Sequence, residues 1–464
     1  MAKSHLPTAL FLSALLTACG TNTPVTATGN LTPPTSTTTT NQERAAYLDS
    51  QSQPPEGVQT EAVTELSQTM PGGHKVSAQA LNTSVPIVLI HGFVGFGRNE
   101  LGGVIKYWGG IYDVQEDLRS KGYNVFTAAV GPISSNWDRA AELYAQIKGG
   151  CVDYGAARAA QYGHDRFDTA KCYPGFYPQW DAQHPINLIG HSQGGQTSRM
   201  LVKLLEDGSP ANADGNNLFV GGRVGWVNNV MMISAPGDGS PAADNLQTLI
   251  PNLQKTLMSL AATAADLGLN PIYDFKLGQY HLKRQPGETL DAYIKRVMGS
   301  PIMTSHDSSA WDLRPDGAKE LNAFIGRSKV TKYFSWATND TSPGLLTGWA
   351  YPNITMNPII KLTAYPYPRP MLPGLGNVYG SSMYGGYQYN SSWWPNDGLV
   401  PSNYMGAPAG QSMESYSGQV AQAGHWYDLG RLNGYDHLAI IGVLSPRDVR
   451  VFYRNQAAFL SSQN

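Results

Sequence analysis

The residues best placed to do chemistry lie in the pentapeptide Gly190-His191-Ser192-Gln193-Gly194. An apolar run, Ile186-Asn187-Leu188-Ile189, precedes it and a helical pattern follows it. Glycines on both sides of a serine permit a sharp, strained turn that lifts the hydroxyl above the edge of a sheet. A serine held in this way can act as a nucleophile once a base removes its proton. The order of strand, turn and helix therefore predicts Ser192 as a nucleophile, rather than a chance turn in a chain with 50 glycines.

A nucleophilic serine needs a histidine base and a carboxylate that orients it, in the chain order serine, acid, histidine. Our candidate for the base is His437, in the segment GYDHLAIIGV. Our candidate for the acid is Asp397, because the sequence Asn-Asp-Gly is typical of a turn that exposes a carboxylate. The alternatives downstream of the serine, of which His425 is the next candidate for the base, are His281, His306, His425, Asp428 and Asp436.

Two backbone N–H groups would stabilise the oxyanion that forms when the serine attacks a carbonyl carbon. The first is the N–H of Gln193, directly after the serine. The second is the N–H of Phe93, in the His-Gly-Phe segment that follows a run of β-branched residues. Gly92 would let the backbone approach a substrate closely. A plain tight turn is the alternative for this segment.

The elements that must position these residues follow from the hydrophobic pattern. Strands buried on both faces are predicted by continuous apolar runs at 84–90, 123–130, 185–190, 227–235 and 331–338. Helices are predicted at 113–122, with Asp113 as N-cap, and at 195–208, which ends at Gly208. Strands that alternate with helices predict an α/β fold with a mostly parallel central sheet flanked by helices.

The first 80 residues predict export rather than a folded domain. Lys3 precedes a mostly apolar run at 6–16, which is too short to span a bilayer and is typical of a signal peptide. The following Leu16-Thr17-Ala18-Cys19 is similar to the lipobox of bacterial lipoproteins, and an ordinary signal peptide with an incidental cysteine is the alternative. We expect a signal peptide at 1–18, a lipidated Cys19, a disordered Thr- and Pro-rich tether at 19–80 and a catalytic domain at 81–464, anchored to the bacterial cell envelope.

The charge of the chain excludes one class of partner. Charged residues make up 14% of the sequence and the net charge is −2. Because there is no basic field to hold phosphates, we expect no nucleic acid as a partner. The partners that remain are a lipid or other ester substrate and, through the lipid anchor, a membrane. The sequence gives no prediction of the oligomeric state.

Several long strings in the same order resemble the large triacylglycerol lipases of thermophilic bacilli and staphylococci. They include HGFVGFGR (91–98), AVGPISSNWDRAAELYAQIKGG (129–150), GHSQGGQT (190–197) and DHLAIIGV (436–443). The resemblance implies an α/β-hydrolase fold with a lid helix and an inserted subdomain, and it implies hydrolysis of triacylglycerols and simpler esters. The triad that it implies is Ser192, Asp397 and His437.

The resemblance also implies a structural zinc site, whose positions here are Asp138, Arg158, His164 and Asp307. Arg158 stands where that family has a histidine. A fixed cation repels a metal ion, and structural zinc is normally four-coordinate. We therefore expect Arg158 to pair with Asp138 or Asp307, and we expect that zinc is not required. The alternative is that His306 supplies the fourth ligand.

Two of the three cysteines, Cys151 and Cys172, lie in this former zinc region, which spans 138–172. A cysteine pair in an exported protein predicts a disulfide, which for a loop of this length contributes about 3 kcal/mol. We hypothesise that the disulfide and an Arg–Asp pair replace the zinc; two free buried thiols and an ordinary salt bridge are the alternative. The calcium ligands that the resemblance implies are replaced by Ala439 and Leu444, so we expect no calcium requirement.

Two further segments concern the substrate. Residues 244–268 have an amphipathic helical pattern and occupy the lid region of the family, with a core helix as the alternative. Residues 364–394 are rich in Tyr and Trp and are interpreted as a packed loop that could line an acyl pocket. The sequence thus predicts a serine ester hydrolase, a lipase first of all. A short-chain esterase or polyester depolymerase, and a non-catalytic surface binding protein, are the alternatives.

Overall fold

The computed structural model describes residues 82–244, 257–258, 261, 273–367 and 374–464. The predicted signal peptide at 1–18, the lipidated Cys19 and the tether at 19–80 therefore lie outside the described residues. Of the lid candidate, the structure describes Asp244, Leu257, Met258 and Ala261. Among the described helices, none has the length and apolar character needed to cross a membrane.

The described chain alternates between strands and helices. The strands are β1 (Ile87–Ile90), β2 (Val125–Ala128), β3 (Gly150–Asp153), β4 (Phe167–Tyr173), β5 (Ile186–His191), β6 (Val227–Ile233), β7 (Lys332–Asn339), β8 (Thr341–Pro343), β9 (Ala350–Pro352), β10 (Gly380–Ser381), β11 (Gln388–Tyr389), β12 (Met413–Ser415) and β13 (Trp426–Asn433). The helices are α1 (Val114–Ser120), α2 (Asn136–Lys148), α3 (Ala156–Tyr162), α4 (Gln193–Glu206), α5 (Pro241–Asp244), α6 (Leu290–Met298), α7 (Ser309–Asp312), α8 (Pro315–Ile325), α9 (Pro358–Ala364) and α10 (Arg450–Ser462).

Seven of these strands form one sheet in the order β12-β13-β7-β6-β5-β1-β2. Every neighbouring pair in it is parallel. The predicted α/β class with a mostly parallel central sheet is therefore confirmed. Three two-stranded sheets, β3-β4, β8-β9 and β10-β11, lie outside it.

The central sheet separates two hydrophobic cores. On β1, Ile87 and Leu89 belong to one core, whereas Val88 and Ile90 belong to the other. This alternation follows from the two-residue period of a strand, whose side chains point to opposite faces. Helices α1 and α10 contribute to the first core, and α2, α4 and α8 to the second. Both faces of the sheet are thus covered, as its continuous apolar strands require.

The predicted element boundaries differ from the observed ones at the ends. The first strand begins at Ile87 rather than at residue 84, and the helix expected from residue 195 begins at Gln193, directly after Ser192. The predicted cap of α1 is confirmed, because the Asp113 side chain accepts a hydrogen bond from the Glu116 N–H. Gly208 has a left-handed φ of 65°, as expected for the residue after a helix end.

Candidate active site

Ser192 lies on the turn between β5 and α4, at the carboxyl end of the central sheet. Its φ of 54° and ψ of −129° form a backbone conformation that is uncommon for a residue with a side chain. A Cβ atom on Gly190 would lie 2.3 Å from the carbonyl carbon of Gly194, and one on Gly194 would lie 2.1 Å from the Ile90 oxygen. Only glycine fits at these two positions, so the local sequence is what permits the strained turn.

His437 and Asp397 lie together beside this turn. The distance from His437 Nδ1 to Asp397 Oδ2 is 2.7 Å, and the His437 N–H donates to the Asp397 carbonyl oxygen at 2.9 Å. The Thr338 hydroxyl donates to the same Oδ2 at 2.7 Å, while Asp397 Oδ1 accepts from the N–H groups of Leu399 and Val400. These hydrogen bonds hold the carboxylate in one orientation. Because Nδ1 of His437 is engaged by Asp397, its Nε2 remains to accept a proton. Sequence reasoning missed Thr338, which precedes the aspartate by 59 residues.

The alternative acids and bases have other partners. Asp436 Oδ1 accepts from the backbone N–H groups of Leu438 and Ala439, and its Oδ2 accepts from that of Asn357. The Asp428 carboxylate accepts from the Gly430 N–H on β13. The other three histidines contact groups outside this site, namely Asp165 for His281, Trp311 for His306 and Glu414 for His425.

The predicted oxyanion segment is held on both sides of Phe93. The Gly92 N–H donates to the Tyr107 hydroxyl at 2.8 Å, and the Val94 N–H donates to the Pro132 oxygen at 2.8 Å. No acceptor for the Phe93 N–H occurs among the described residues. Gln193 is the first residue of α4, so its N–H has no acceptor within the helix. Both predicted donors are thus available for a ligand atom.

A buried tyrosine, Tyr107, connects the His-Gly-Phe segment with the turn that carries Ser192. The Tyr107 hydroxyl accepts from Gly92 and lies 2.6 Å from His191 Nδ1, to which it can donate. The His191 ring packs against His437, with ring centroids 4.6 Å apart. Burial lowers the pKa of His191 well below its usual value, and the neighbouring His437 adds to this effect. The His191 ring is therefore neutral where it contacts Tyr107. The two residues are 84 positions apart in sequence, so the fold alone brings them together.

Ser192 and His437 line one cavity that is open to solvent. Its lining is predominantly apolar and includes Leu257 of the lid candidate. The wall near the catalytic loops comes from α9 and its neighbours, with Ile359, Ile360, Thr363, Leu399, Leu438 and Ile441. None of the described residues of 364–394 lines the cavity. The cavity wall that this segment could have formed is provided by α9. The described residues of 364–394 form a packed loop instead, as expected, with Trp393 stacked on Tyr404.

The four positions of the implied zinc site lie together, outside this cavity. One potential ligand atom from each of Asp138, His164 and Asp307 lies within 4.8 Å of the others. Arg158 occupies the remaining side, with Nη2 2.5 Å and Nε 3.1 Å from Asp307 Oδ1. Asp307 Oδ2 lies 3.1 Å from His164 Nε2 and accepts from the Tyr280 hydroxyl at 2.7 Å. Of the two carboxylates expected as partners of Arg158, Asp307 is the bonded one.

The charges of this cluster do not fit a divalent ion. Burial acts to raise the pKa of Asp307, but contact with His164 and the charge of Arg158 lower it overall. Burial acts to lower the pKa of His164, but the contact with Asp307 and the charge of Asp138 raise it overall. Burial and the charge of Asp307 raise the pKa of Asp138. With Arg158 present, adding zinc would leave an excess positive charge in a buried site, which is costly.

Cys151 and Cys172 form a disulfide between β3 and β4. The two strands pair in antiparallel register at these residues, and α3, which carries Arg158, lies between them in sequence. The disulfide therefore closes the segment that holds the arginine. At the positions of the implied calcium ligands, Ala439 is buried and Leu444 is part of the loop after His437. Neither side chain offers an oxygen, so the expectation of no calcium requirement stays a prediction.

Comparison with known proteins identifies the family. Residues 83–460 match the family model described as a lipase-like C-terminal domain. Lipase 2 of Staphylococcus aureus is 34% identical over 380 residues, which cover 79% of this chain and 51% of the relative. A lipase of Staphylococcus epidermidis is 33% identical over 369 residues, which cover 77% of this chain and 50% of the relative. The chain thus spans about half the length of the curated relatives it matches.

Solved structures match over more of their length. EstA from Clostridium botulinum is 36% identical with a TM-score of 0.76, and the match covers 91% of this chain and 97% of that one. Lipase 1 from Pelosinus fermentans is 38% identical with a TM-score of 0.69, covering 82% and 98%. The Staphylococcus hyicus lipase is 30% identical with a TM-score of 0.65, covering 82% and 95%. The chain has the α/β-hydrolase fold of these proteins and belongs to the lipase-like C-terminal domain family.

Proposed function

We propose that this protein is a carboxylic ester hydrolase, a lipase that cleaves acylglycerols through Ser192, His437 and Asp397. The observation that carries the proposal is the 2.7 Å contact between His437 Nδ1 and Asp397 Oδ2 beside a serine with a strained backbone, in one cavity. Strain of this kind persists where the surrounding structure over-determines it, and it concentrates at catalytic sites. The family membership supports the same chemistry.

In the first half of the reaction, the Ser192 hydroxyl attacks the carbonyl carbon of the ester. His437 takes the serine proton at Nε2, because Nδ1 is engaged by Asp397. The carbonyl oxygen becomes an oxyanion, to which the N–H groups of Phe93 and Gln193 donate. The intermediate then collapses, His437 returns the proton to the leaving alcohol, and an acyl group remains on Ser192.

In the second half, water replaces the alcohol. His437 takes a proton from the water molecule, whose oxygen attacks the acyl carbon and forms a second oxyanion at the same two N–H groups. Collapse of this intermediate releases the carboxylic acid and returns the proton to Ser192. Throughout, Asp397 fixes the imidazole tautomer and stabilises its cation.

The proposed substrate class follows from the cavity. Its apolar walls favour a hydrocarbon acyl chain, because burying each methylene contributes about 0.8 kcal/mol. The few polar groups on its lining include Ser192 and His437, so a chain that enters from the open side places its ester bond next to them. A short-chain esterase or polyester depolymerase would use the same triad and is separated by the experiment below.

We further propose that the enzyme needs neither zinc nor calcium. Arg158 supplies positive charge to Asp307, and the Cys151–Cys172 disulfide closes the surrounding segment. A purified protein that contains stoichiometric zinc would contradict this proposal. For location, we propose export with a lipid anchor on Cys19 and a flexible tether at 19–80, supported by the lipobox-like sequence. Mass spectrometry of the N-terminal peptide from membranes tests for an acylated Cys19.

The activity is tested on the full-length chain with Cys19→Ser, which cannot be lipidated. A soluble short-chain nitrophenyl ester, emulsified long-chain triacylglycerol and a polyester film are supplied separately. We expect hydrolysis of the first two, and we expect Ser192→Ala to abolish it. Ser198→Ala is the matched control, because the Ser198 hydroxyl donates to the Gly194 oxygen on the same helix. Hydrolysis of the soluble ester alone would favour the esterase alternative, and no hydrolysis at all would favour a binding protein.

A further inference from the structure

Two fully exposed leucines occupy the tip of the β8-β9 hairpin. Leu345 is 104% exposed and Leu346 is 100% exposed, as fractions of the accessible surface of a fully exposed leucine residue. The tip is ordered by hydrogen bonds, since the Gly344 N–H donates to the Trp349 oxygen and the Gly348 N–H donates to the Gly344 oxygen, both at 2.8 Å. Scattered apolar residues on a surface are normal, whereas two adjacent, fully exposed leucines on an ordered hairpin indicate a surface that binds a partner.

The base of this hairpin is bonded to the loop that carries Asp397. The Asp340 N–H donates to the Asn396 oxygen at 3.0 Å, and the Asn396 N–H donates to Thr341 Oγ1 at 3.1 Å. Leu345 lies four residues beyond Thr341, so it is within about 14 Å of it, because a chain extends at most ~3.6 Å per residue. The exposed tip is therefore joined, through the base of its hairpin, to the residue that precedes the candidate acid Asp397.

Two further apolar side chains are exposed in the chain that follows the hairpin. Ile354, two residues after β9, is 94% exposed, and Leu362 on α9 is 56% exposed. Other residues of α9, Ile359, Ile360 and Thr363, line the cavity that contains Ser192. Helix α9 thus lines the cavity with some of its residues and exposes Leu362 to solvent. The chain that follows the hairpin therefore leads into a helix that lines the cavity.

The scarcity of charged residues in the segment between Thr341 and Asn396 limits the kind of surface that this segment can bind. Between Thr341 and Asn396 the sequence contains two charged residues, Lys361 and Arg369, and no carboxylate. Such a segment can approach an uncharged apolar surface without desolvating buried charge. It lacks the cluster of basic residues that anionic lipid recognition requires.

We propose that the β8-β9 tip inserts Leu345 and Leu346 into the surface of a neutral or zwitterionic lipid layer, which brings the cavity mouth against the substrate. This inference rests on the proposed function, because it takes the substrate surface to be lipid. Aliphatic side chains that enter the boundary between headgroups and acyl chains bind in proportion to the apolar area they bury. Binding of this kind is insensitive to salt, because no ion pair contributes to it.

The test uses residues 20–464, which lack both the predicted signal peptide and Cys19, and compares this chain with a variant that also carries Leu345→Ser and Leu346→Ser. Flotation with phosphatidylcholine vesicles measures binding, and a soluble short-chain ester and a triacylglycerol emulsion measure activity. We expect vesicle binding and emulsion hydrolysis to fall at least tenfold, which is a lower bound for losing two buried leucines. We expect hydrolysis of the soluble ester to change less than twofold. Val420→Ser, which alters a residue that is 89% exposed in the loop before β13, is the control and should leave all three unchanged.

Other outcomes would overturn the proposal. Unchanged vesicle binding, or an equal loss in Val420→Ser, would show that the tip has no special role. A matching loss on the soluble ester would indicate that the leucines contact another segment of the chain, such as the lid candidate. Binding restricted to anionic phosphatidylglycerol vesicles and abolished by salt would indicate electrostatic adsorption. If no ester is hydrolysed, the proposed function fails, yet the vesicle measurement still reports on the tip.

Discussion

The Tyr107 hydroxyl lies 2.6 Å from His191 Nδ1 and at the same time accepts the Gly92 N–H at 2.8 Å. One side chain therefore connects the segment that precedes the Phe93 oxyanion donor with the residue that precedes Ser192. Both partners are buried, so neither hydrogen bond competes with bulk water. This arrangement fixes the distance between the oxyanion donors and the nucleophile, which determines how well they meet a transition state.

Tyr107→Phe should lower kcat on a soluble ester by about tenfold with little change in KM, because one hydrogen bond that positions an oxyanion donor is lost. We expect kcat to fall without a matching change in KM, because the oxyanion exists in the transition state and not in the bound ester. Steady-state kinetics measure it. The control is Tyr123→Phe, another buried tyrosine of the same core. Equal effects in the two variants would contradict a positioning role for Tyr107.

Arg158→Met should lower the free energy of unfolding by about 3 kcal/mol, because it removes the guanidinium that pairs with the buried Asp307 carboxylate. Denaturant unfolding in the presence of a metal chelator measures this loss, and the chelator alone should not change the wild-type midpoint. Lys203→Met, which removes an exposed pair with Asp207, should cost less than about 0.5 kcal/mol. A large destabilisation of the wild type by the chelator would show that a metal holds the cluster instead.

The double substitution Cys151→Ser and Cys172→Ser should lower the free energy of unfolding by about 3 kcal/mol, because the unfolded chain regains the entropy of a closed loop. The disulfide lies away from the cavity lining, so the rate at which a phosphonate probe labels the folded variant should match the wild type. Cys19→Ser is the control, with no expected change in stability. Equal unfolding midpoints for oxidised wild type and variant would contradict the prediction.

The raised pKa of Asp312 should make the free energy of unfolding depend on pH. Burial raises the pKa of Asp312 to about 6, although hydrogen bonds from Asn136 favour the ionised form. In the unfolded chain the pKa is about 3.9, so between about pH 4 and 6 the folded state retains a proton that the unfolded state has lost. The unfolding free energy should therefore fall as pH rises through this window, by roughly 3 kcal/mol.

Asp312→Asn should make this fall smaller, because an amide does not titrate and its oxygen can still accept from Asn136, while Asp138, whose pKa burial also raises, still titrates. Urea unfolding at several pH values from 4 to 7 measures it. Asp207→Asn, at a side chain that is 65% exposed, should leave the slope unchanged. A variant with the same pH dependence as the wild type would assign the slope to other groups.

Much of the architecture could be predicted from the sequence because it depends on local patterns. Continuous apolar runs indicated the buried strands, and the glycines around Ser192 indicated the strained turn, since both follow from short-range sterics. The choice of Asp397 and His437 relied on chain order and on turn residues close to each of them. The structure brings these two side chains into direct contact.

The contacts that could not be predicted join residues far apart in sequence. Thr338 meets Asp397, and Tyr107 meets His191, through strand order in the sheet, which no local pattern encodes. Residues 364–394 were interpreted as a packed loop that could line an acyl pocket. The aromatic residues described there pack on one another and on polar partners, and α9 lines the cavity instead. The exposed leucines of the β8-β9 tip were also missed, since an apolar pair in sequence gives no sign of which side faces solvent.

The most direct test of the central claim is to map where an alkyl phosphonate ester attaches to the protein. The reagent reacts with a serine only when a base removes its proton and an oxyanion site receives the phosphoryl oxygen. We predict a single adduct on the peptide that contains Ser192, absent in Ser192→Ala and strongly slowed in Asp397→Asn. No adduct on the active wild type, or an adduct on a different serine, would contradict the account.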